Sequence, residues 1–198
     1  MRLLLLVCTL FVLTSCGNKK ITASSPEKFD MEVLADVIAQ QDLENIYPEA
    51  QIANGSEFFE EGTVERSYSI LYPHSTDKIL VIWKDPERTE LHQIYLDGKS
   101  RWRSKTGIHI GTTYEELVEL NGGPLKFYGF GWDYSGAVDW NKGGLENSNI
   151  RVFLEPTVAP PRDFYTDKVI ETTEDEIDNL KLRVRAIILQ QPEVTGNN

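Results

Sequence analysis

The segment Lys78–Trp83 constrains the fold most strongly, because it contains the unbroken apolar run Ile79-Leu80-Val81-Ile82-Trp83. Successive side chains of a β-strand point to opposite faces of the sheet. A run that is apolar at both odd and even positions therefore indicates a strand that is covered on both faces. Asp85-Pro86 ends the run, since proline lacks the N–H that a strand ladder requires. We therefore predict a central strand over Lys78–Trp83.

Other segments predict further strands, turns and a loop. Strands are expected at Thr63–Tyr72, Leu91–Leu96, Ile150–Leu154 and Leu182–Leu189, with Trp102 in a short polar strand. Turns are expected at Asn54-Gly55-Ser56 and Asp97-Gly98, and a long surface loop at Pro156–Lys168. Many strands joined by turns and few helices indicate an α+β fold: a mostly antiparallel sheet with two or three short helices packed on one face.

A first helix is predicted from Ser25-Pro26, with serine at the N-cap and proline at the first helical position. It is expected to run to Gln40 or Gln41. Five apolar residues fall on one of its faces at helical spacing: Phe29, Val33, Leu34, Val37 and Ile38. A last short helix is expected to begin at Thr172-Thr173, where two capping boxes overlap, and to end near Leu180.

A strand-to-helix motif lies between these helices. We predict a short strand ending at Gly111, followed by a helix with Thr113 as N-cap and Glu116 reaching back from the third position. Leu117 and Leu120 are expected to face inward, and Asn121-Gly122 to end the helix. Residues 107–117 resemble the strand-to-helix start of small envelope lipoproteins, such as the outer-membrane assembly lipoprotein and the β-lactamase-inhibitor-like domains. This resemblance implies a sheet with packed helices, and it carries no information about catalysis.

The amino terminus has the pattern of an export signal followed by a cysteine. Met1-Arg2 supplies a positive charge, and Leu3 to Leu13 is almost entirely apolar. A bilayer span needs about 20 residues, so this shorter run is typical of a signal peptide. Leu13-Thr14-Ser15-Cys16 resembles the lipobox of bacterial lipoproteins. The resemblance implies cleavage before Cys16 and attachment of lipid to that residue.

Two processed forms remain open: the lipidated protein, and a soluble secreted protein that is cut near Ser15 and keeps Cys16 as a free thiol. We favour the lipidated form, because an exposed thiol is a liability in an oxidising compartment. Cys8 lies in the segment that is removed, so the mature chain has no cysteine pair for an internal disulfide. The predicted organisation is a signal peptide at 1–15, a lipidated tether at 16–25, a single globular α+β domain at 26–191 and a flexible tail at 192–198.

Aromatic residues recur at every second position of one segment, at Tyr128, Phe130, Trp132 and Tyr134. On an extended strand they share one face, and Gly129 and Gly131 leave the other face bare. One interpretation buries the aromatic face in the core and lets a helix approach the glycines closely. The other exposes the rings as a stacking platform for a sugar or peptide, with Asp133 as a polar anchor. We favour the core interpretation, because aromatics at strand spacing are usually buried.

The block from Gly107 to Gly136 is similar to a family of uncharacterised lipoproteins of Bacteroidota. This resemblance spans most of the mature chain, including Trp83 and Trp102, and implies an envelope lipoprotein with no activity to transfer.

The charge balance argues against some partners. Lys and Arg number 20 against 31 Asp and Glu, which gives a net charge of −11. Nucleic-acid binding needs a basic surface, so we expect no nucleic-acid partner. Binding to anionic lipid heads by charge alone is excluded on the same ground.

Catalytic signatures are missing from the sequence. His74, His92 and His109 are scattered, and no zinc, nucleophile-elbow, phosphate-loop or calcium-loop pattern occurs. We predict no cofactor, no metal site and no enzyme. The expected function is that of a membrane-anchored, non-catalytic binding or interaction module of the cell envelope. It is expected in the outer membrane, facing the periplasm or the cell surface, with an envelope protein or a glycan as partner. The alternatives are a structural subunit of an envelope complex and, third, a glycan- or peptide-processing hydrolase.

Overall fold

The structure is a computed structural model that describes residues 26–131, 135–171 and 173–191. It shows an α+β fold built on a six-stranded antiparallel sheet with the strand order β1-β2-β3-β4-β8-β7. The strands of this sheet are β1 (Ala53–Phe59), β2 (Val64–Leu71), β3 (Ile79–Trp83), β4 (Leu91–Leu96), β7 (Ile150–Glu155) and β8 (Arg183–Gln190). A second, two-stranded sheet pairs β5 (Lys126–Phe127) with β6 (Val138–Asp139).

Four short α-helices are present in the described residues. They are α1 (Met31–Ala39), α2 (Leu43–Ile46), α3 (Tyr114–Asn121) and α4 (Glu174–Leu180). Two single-turn 3-10 helices, Pro26–Phe29 and Arg162–Phe164, accompany them. The longest, α1, packs against β4 and buries its apolar stripe in the hydrophobic core.

One face of the large sheet forms the floor of this core. In the row Val81–Ile94–Leu189–Ile150, each residue pairs with the next across neighbouring strands, and all four are at most 5% exposed. Opposite residues of paired strands project from the same face, so this row marks the side of the sheet on which the core lies.

A cluster around Trp102 closes one end of the core. Its indole contacts the rings of Phe29 and Tyr47, with centroid distances of 5.1 and 6.0 Å, and its Nε1 donates to the carbonyl oxygen of Asp77 at 2.7 Å. The Asp77 carboxylate accepts from the backbone and the guanidinium of Arg101. Burial alone would raise the pKa of Asp77, but the hydrogen bonds and charge of Arg101 hold it below its ordinary value.

The predicted capping boxes at Thr113 and Thr173 are confirmed, and Thr172, the N-cap of the overlapping alternative, lies outside the described residues. Thr113 and Thr173 accept hydrogen bonds from the backbone of Glu116 and Glu176, whose side chains return bonds to the N-cap backbone. Gly122 then ends α3 in the left-handed conformation. These signals act within one helical turn, so they are independent of the tertiary fold.

The predicted start of the first helix is wrong. Asp30 is the N-cap of α1 and accepts from the backbone N–H of Val33 at 2.9 Å, and the 3-10 helix Pro26–Phe29 precedes it. Ser25 lies outside the described residues.

Several other local predictions also fail. Residues 54–56 belong to β1 and do not form a turn, because β1 pairs with β2 along its whole length. Trp102 and the segment before Gly111 lie outside any strand, and Leu120 is 40% exposed instead of facing inward. At residues 54–56, the pairing with β2 outweighs the local pattern.

Candidate binding surface

The predicted aromatic block is only partly described. Phe130 is half-buried and packs against the core, and its ring stacks on Phe127 with a centroid distance of 5.8 Å. Tyr128 is also half-buried. Trp132, Asp133 and Tyr134 lie outside the described residues, as does Cys16. The proposed ligand platform and the lipidation of Cys16 therefore stay predictions.

The glycines of this block lie against another segment. A Cβ atom on Gly129 would come within 2.5 Å of the carbonyl oxygen of Phe164, and one on Gly131 within 2.8 Å of the backbone nitrogen of Thr166. The backbone N–H of Phe130 donates to that same Phe164 oxygen at 2.8 Å. The expected close approach is confirmed, and the segment that approaches is the end of the 3-10 helix at Arg162–Phe164 with the turn that follows it.

The second face of the large sheet is the most distinctive surface of the molecule. β3 has the predicted central position. The expectation that both of its faces are covered holds at Ile82, which is 2% exposed on this second face, but not at Leu80. Leu80 is half-buried and lies outside the hydrophobic core that the described residues form. Seven more apolar side chains on this face are likewise half-buried and outside the hydrophobic core. We call the set the open face: Phe59, Val64, Tyr68, Ile70, Leu80, Tyr95, Phe153 and Ile188.

The open face is continuous across the sheet. The row Ile70–Leu80–Tyr95–Ile188 crosses four strands through direct pairings and continues to Arg151 on β7. Tyr68 lies over the bare backbone of Gly55, where a Cβ atom would clash with the Tyr68 hydroxyl. An aromatic ring that covers a strand glycine in this way keeps the edge strand registered with its neighbour.

Polar groups border the open face. A shallow depression of about 150 Å³ is lined by its apolar residues together with Glu57, Lys78 and Asp97. Burial raises the pKa of the Tyr95 hydroxyl, and the charge of Asp97 raises it further. This hydroxyl is therefore protonated at neutral pH. At the β7 end of the open face, the Arg185 guanidinium lies 5.5 Å from the centroid of the Phe153 ring.

A larger cavity, which we call the end cavity, lies where the rows of the open face reach β7 and β8. Its volume is about 690 Å³, and it is open to solvent. Arg151 is the last residue of the row that begins at Ile70. Gln190 is the last residue of the neighbouring row Tyr68–Ile82–Gln93–Gln190, and both residues line the cavity. The remaining walls come from Lys84 after β3, from His92 in β4, from β6 and from the loop before β7.

The sequence analysis missed both surfaces. The apolar run of β3 could have indicated the open face. A strand that is apolar at both odd and even positions is equally consistent with one face in the core and one face left for a partner. The end cavity had no signal, because its lining residues come from segments that are distant in sequence.

Two general features bear on chemistry. Among the residues that the structure describes, no group of three or more His, Cys, Asp or Glu side chains is placed to hold a metal ion. None of the described helices is both long enough and apolar enough to cross a membrane.

Comparison with known proteins gives little further information. No family model and no curated protein matches the chain. A solved structure that does match is the crystal structure of the uncharacterized protein yfeY from Escherichia coli. It has a TM-score of 0.45 and 16% sequence identity, over 86% of this chain and 93% of that chain. A likeness at this level carries no information on function.

Proposed function

We propose that the protein is a lipid-anchored, non-catalytic interaction module of the bacterial cell envelope that docks a protein partner through the open face. The observation that carries this proposal is a row of partly exposed apolar side chains that crosses four strands of the sheet. Contiguous apolar patches on soluble proteins mark interaction sites, because water contact with such a surface is unfavourable.

The shape and charge of the open face favour a protein over other occupants. Its depression of about 150 Å³ is smaller than the about 300 Å³ at which small-molecule sites begin. The net charge of −11 disfavours an anionic membrane surface. Glu57 and Asp97 outnumber Lys78 around the depression. We therefore expect an apolar partner surface that presents a basic side chain to these carboxylates.

The anchor is tested by Cys16→Ser in the full-length protein. A hydroxyl cannot accept the thioether-linked lipid, so we expect the protein to move from the membrane pellet to the soluble fraction. Two or three acyl chains hold a protein firmly to a bilayer, so their loss should release it. Cys8→Ser is the matched control and should leave the protein in the pellet, since Cys8 lies in the predicted signal peptide. Retention of Cys16→Ser in a salt-washed pellet would contradict the anchor.

The docking face is tested by photo-crosslinking in intact cells. A benzoylphenylalanine in place of Tyr95 should give a discrete crosslinked product, whereas the same probe at Tyr165, which is 57% exposed and is not part of the open face, should not. The product identified by mass spectrometry is then purified, and its affinity for the protein is measured by calorimetry.

Leu80→Glu should weaken that affinity about tenfold or more, because it places a charge at the centre of an apolar contact. Leu120→Glu is the matched control: Leu120 is 40% exposed on α3, and its substitution should leave the affinity unchanged. Equal affinities of the two variants would refute the docking face. A crosslinked product that consists only of two copies of this chain would show that the open face is a homodimer interface.

A further inference from the structure

The end cavity has the size and position of a ligand site distinct from the docking face. Its volume of about 690 Å³ lies within the range of about 300–1,000 Å³ that is typical of small-molecule sites. It lies where β3 and β8 end and where β4 and β7 begin, with β6 and the loop before β7 beside it.

Four residues that line this cavity carry uncharged hydrogen-bonding side chains. The Ser148 hydroxyl oxygen is buried and has no hydrogen-bond partner among the described residues. The carboxamides of Asn149, Gln190 and Gln191 line the same cavity, and none of them is paired with another described side chain. Each carboxamide offers both donors and an acceptor, and a hydroxyl does the same.

The charged groups of the cavity balance one another and are largely engaged. Lys84 pairs with Glu90 at 3.0 Å. Asp139 and Glu146 accept hydrogen bonds from the backbone N–H groups of nearby residues at 2.8 and 3.1 Å. Arg151 is exposed. Beside His92, the lining thus contains two cations and two anions, which give no strong preference for a ligand of either sign.

An apolar wall completes the cavity. Val138 and Trp140 line it, and the Trp140 indole is fixed by a hydrogen bond from Nε1 to the carbonyl oxygen of Ile150 at 3.3 Å. Apolar walls with a few polar groups that fix orientation are the usual construction of a small-ligand site.

From these observations we infer that the end cavity binds a short uncharged glycan. A sugar presents many hydroxyls that donate and accept at once, which matches the carboxamides and the buried Ser148 hydroxyl. Its C–H faces match the wall formed by Val138 and Trp140. This inference stands apart from the docking of a protein on the open face, because Leu80 and Tyr95 do not line the end cavity.

The test is calorimetric titration of the detergent-solubilised full-length protein with three neutral trisaccharides: maltotriose, cellotriose and triacetylchitotriose. We expect at least one of them to bind. Gln190→Leu should weaken that binding about tenfold, because it leaves sugar hydroxyls without a partner. Gln93→Leu is the matched control. Gln93 pairs with Gln190 on the neighbouring strand and is half-buried in the same way, but it does not line the cavity.

Ser148→Ala provides a second test of the glycan site in case Gln190→Leu fails to fold. This substitution removes a buried hydroxyl that has no described partner, so the melting temperature should stay the same or rise while trisaccharide binding weakens. The inference is overturned if none of the three trisaccharides binds at about 10 mM, or if Gln93→Leu weakens binding as much as Gln190→Leu. Tighter binding of tetraglycine than of any trisaccharide would also overturn it and indicate a peptide site.

Discussion

Trp102→Ala should lower the free energy of unfolding by about 3–5 kcal/mol, the range for removing a large aromatic side chain from a core. Trp102 is 0% exposed, and its ring contacts Phe29 and Tyr47. The substitution also leaves the Asp77 carbonyl without the indole donor that lies 2.7 Å away. Urea denaturation monitored by circular dichroism measures the loss of free energy of unfolding, provided that the dependence of this free energy on urea concentration is the same for both proteins.

Two further variants separate the causes of this loss. Trp102→Phe retains most of the ring but removes the donor to Asp77, so it should cost about 1–3 kcal/mol. Phe58→Ala removes an aromatic side chain that is 64% exposed and should change stability little. A loss of less than about 1 kcal/mol for Trp102→Ala would contradict the packing described around this residue.

Gly129→Ala should destabilise the protein by about 3 kcal/mol, at the upper end of the cost of overpacking a core. The added Cβ would lie 2.5 Å from the carbonyl oxygen of Phe164 and 2.6 Å from that of Thr166. Both neighbours are backbone atoms, so relief requires the whole turn to move away. That movement would break the hydrogen bond from Phe130 N–H to Phe164 and displace the Phe164 ring from the core.

Gly98→Ala is the control for this prediction. A Cβ on Gly98 meets nothing within 4 Å, so alanine should leave the free energy of unfolding unchanged or raise it slightly by restricting the unfolded chain. Thermal and urea denaturation of the two variants in parallel measure the difference. Equal stabilities would show that the turn at Phe164–Thr166 does not press on Gly129.

The features that the sequence predicts best are those that depend on a few adjacent residues. Both capping boxes, at Thr113 and Thr173, are confirmed, since their bonds close within one turn. The strands β2, β3, β4, β7 and β8 are found close to their predicted bounds. Apolar spacing along a strand thus predicts that a strand forms, and sequence alone yields the α+β class.

What covers each face depends on distant residues and is not encoded in that spacing. Leu80 and Val81 are adjacent and equally apolar, but only Val81 lies in the core. Asn54-Gly55-Ser56 has the composition of a turn, and pairing with β2 together with the Tyr68 ring holds it extended. The end cavity joins residues from several segments, so no local pattern marks it.

The position of β8 has a consequence for the rate at which the protein folds. β8 is the last strand in chain order among the described elements, but it lies between β4 and β7, and Leu96 pairs directly with Ile187. The hairpins of β1 to β4 close short loops, whereas the β4–β8 pairing closes a very long one, whose entropic cost is greater. Folding slows as the sequence separation of native contacts grows. We therefore expect the meander of β1 to β4 to form early and the docking of β8 to limit the folding rate, with β7 joining the sheet only after that step.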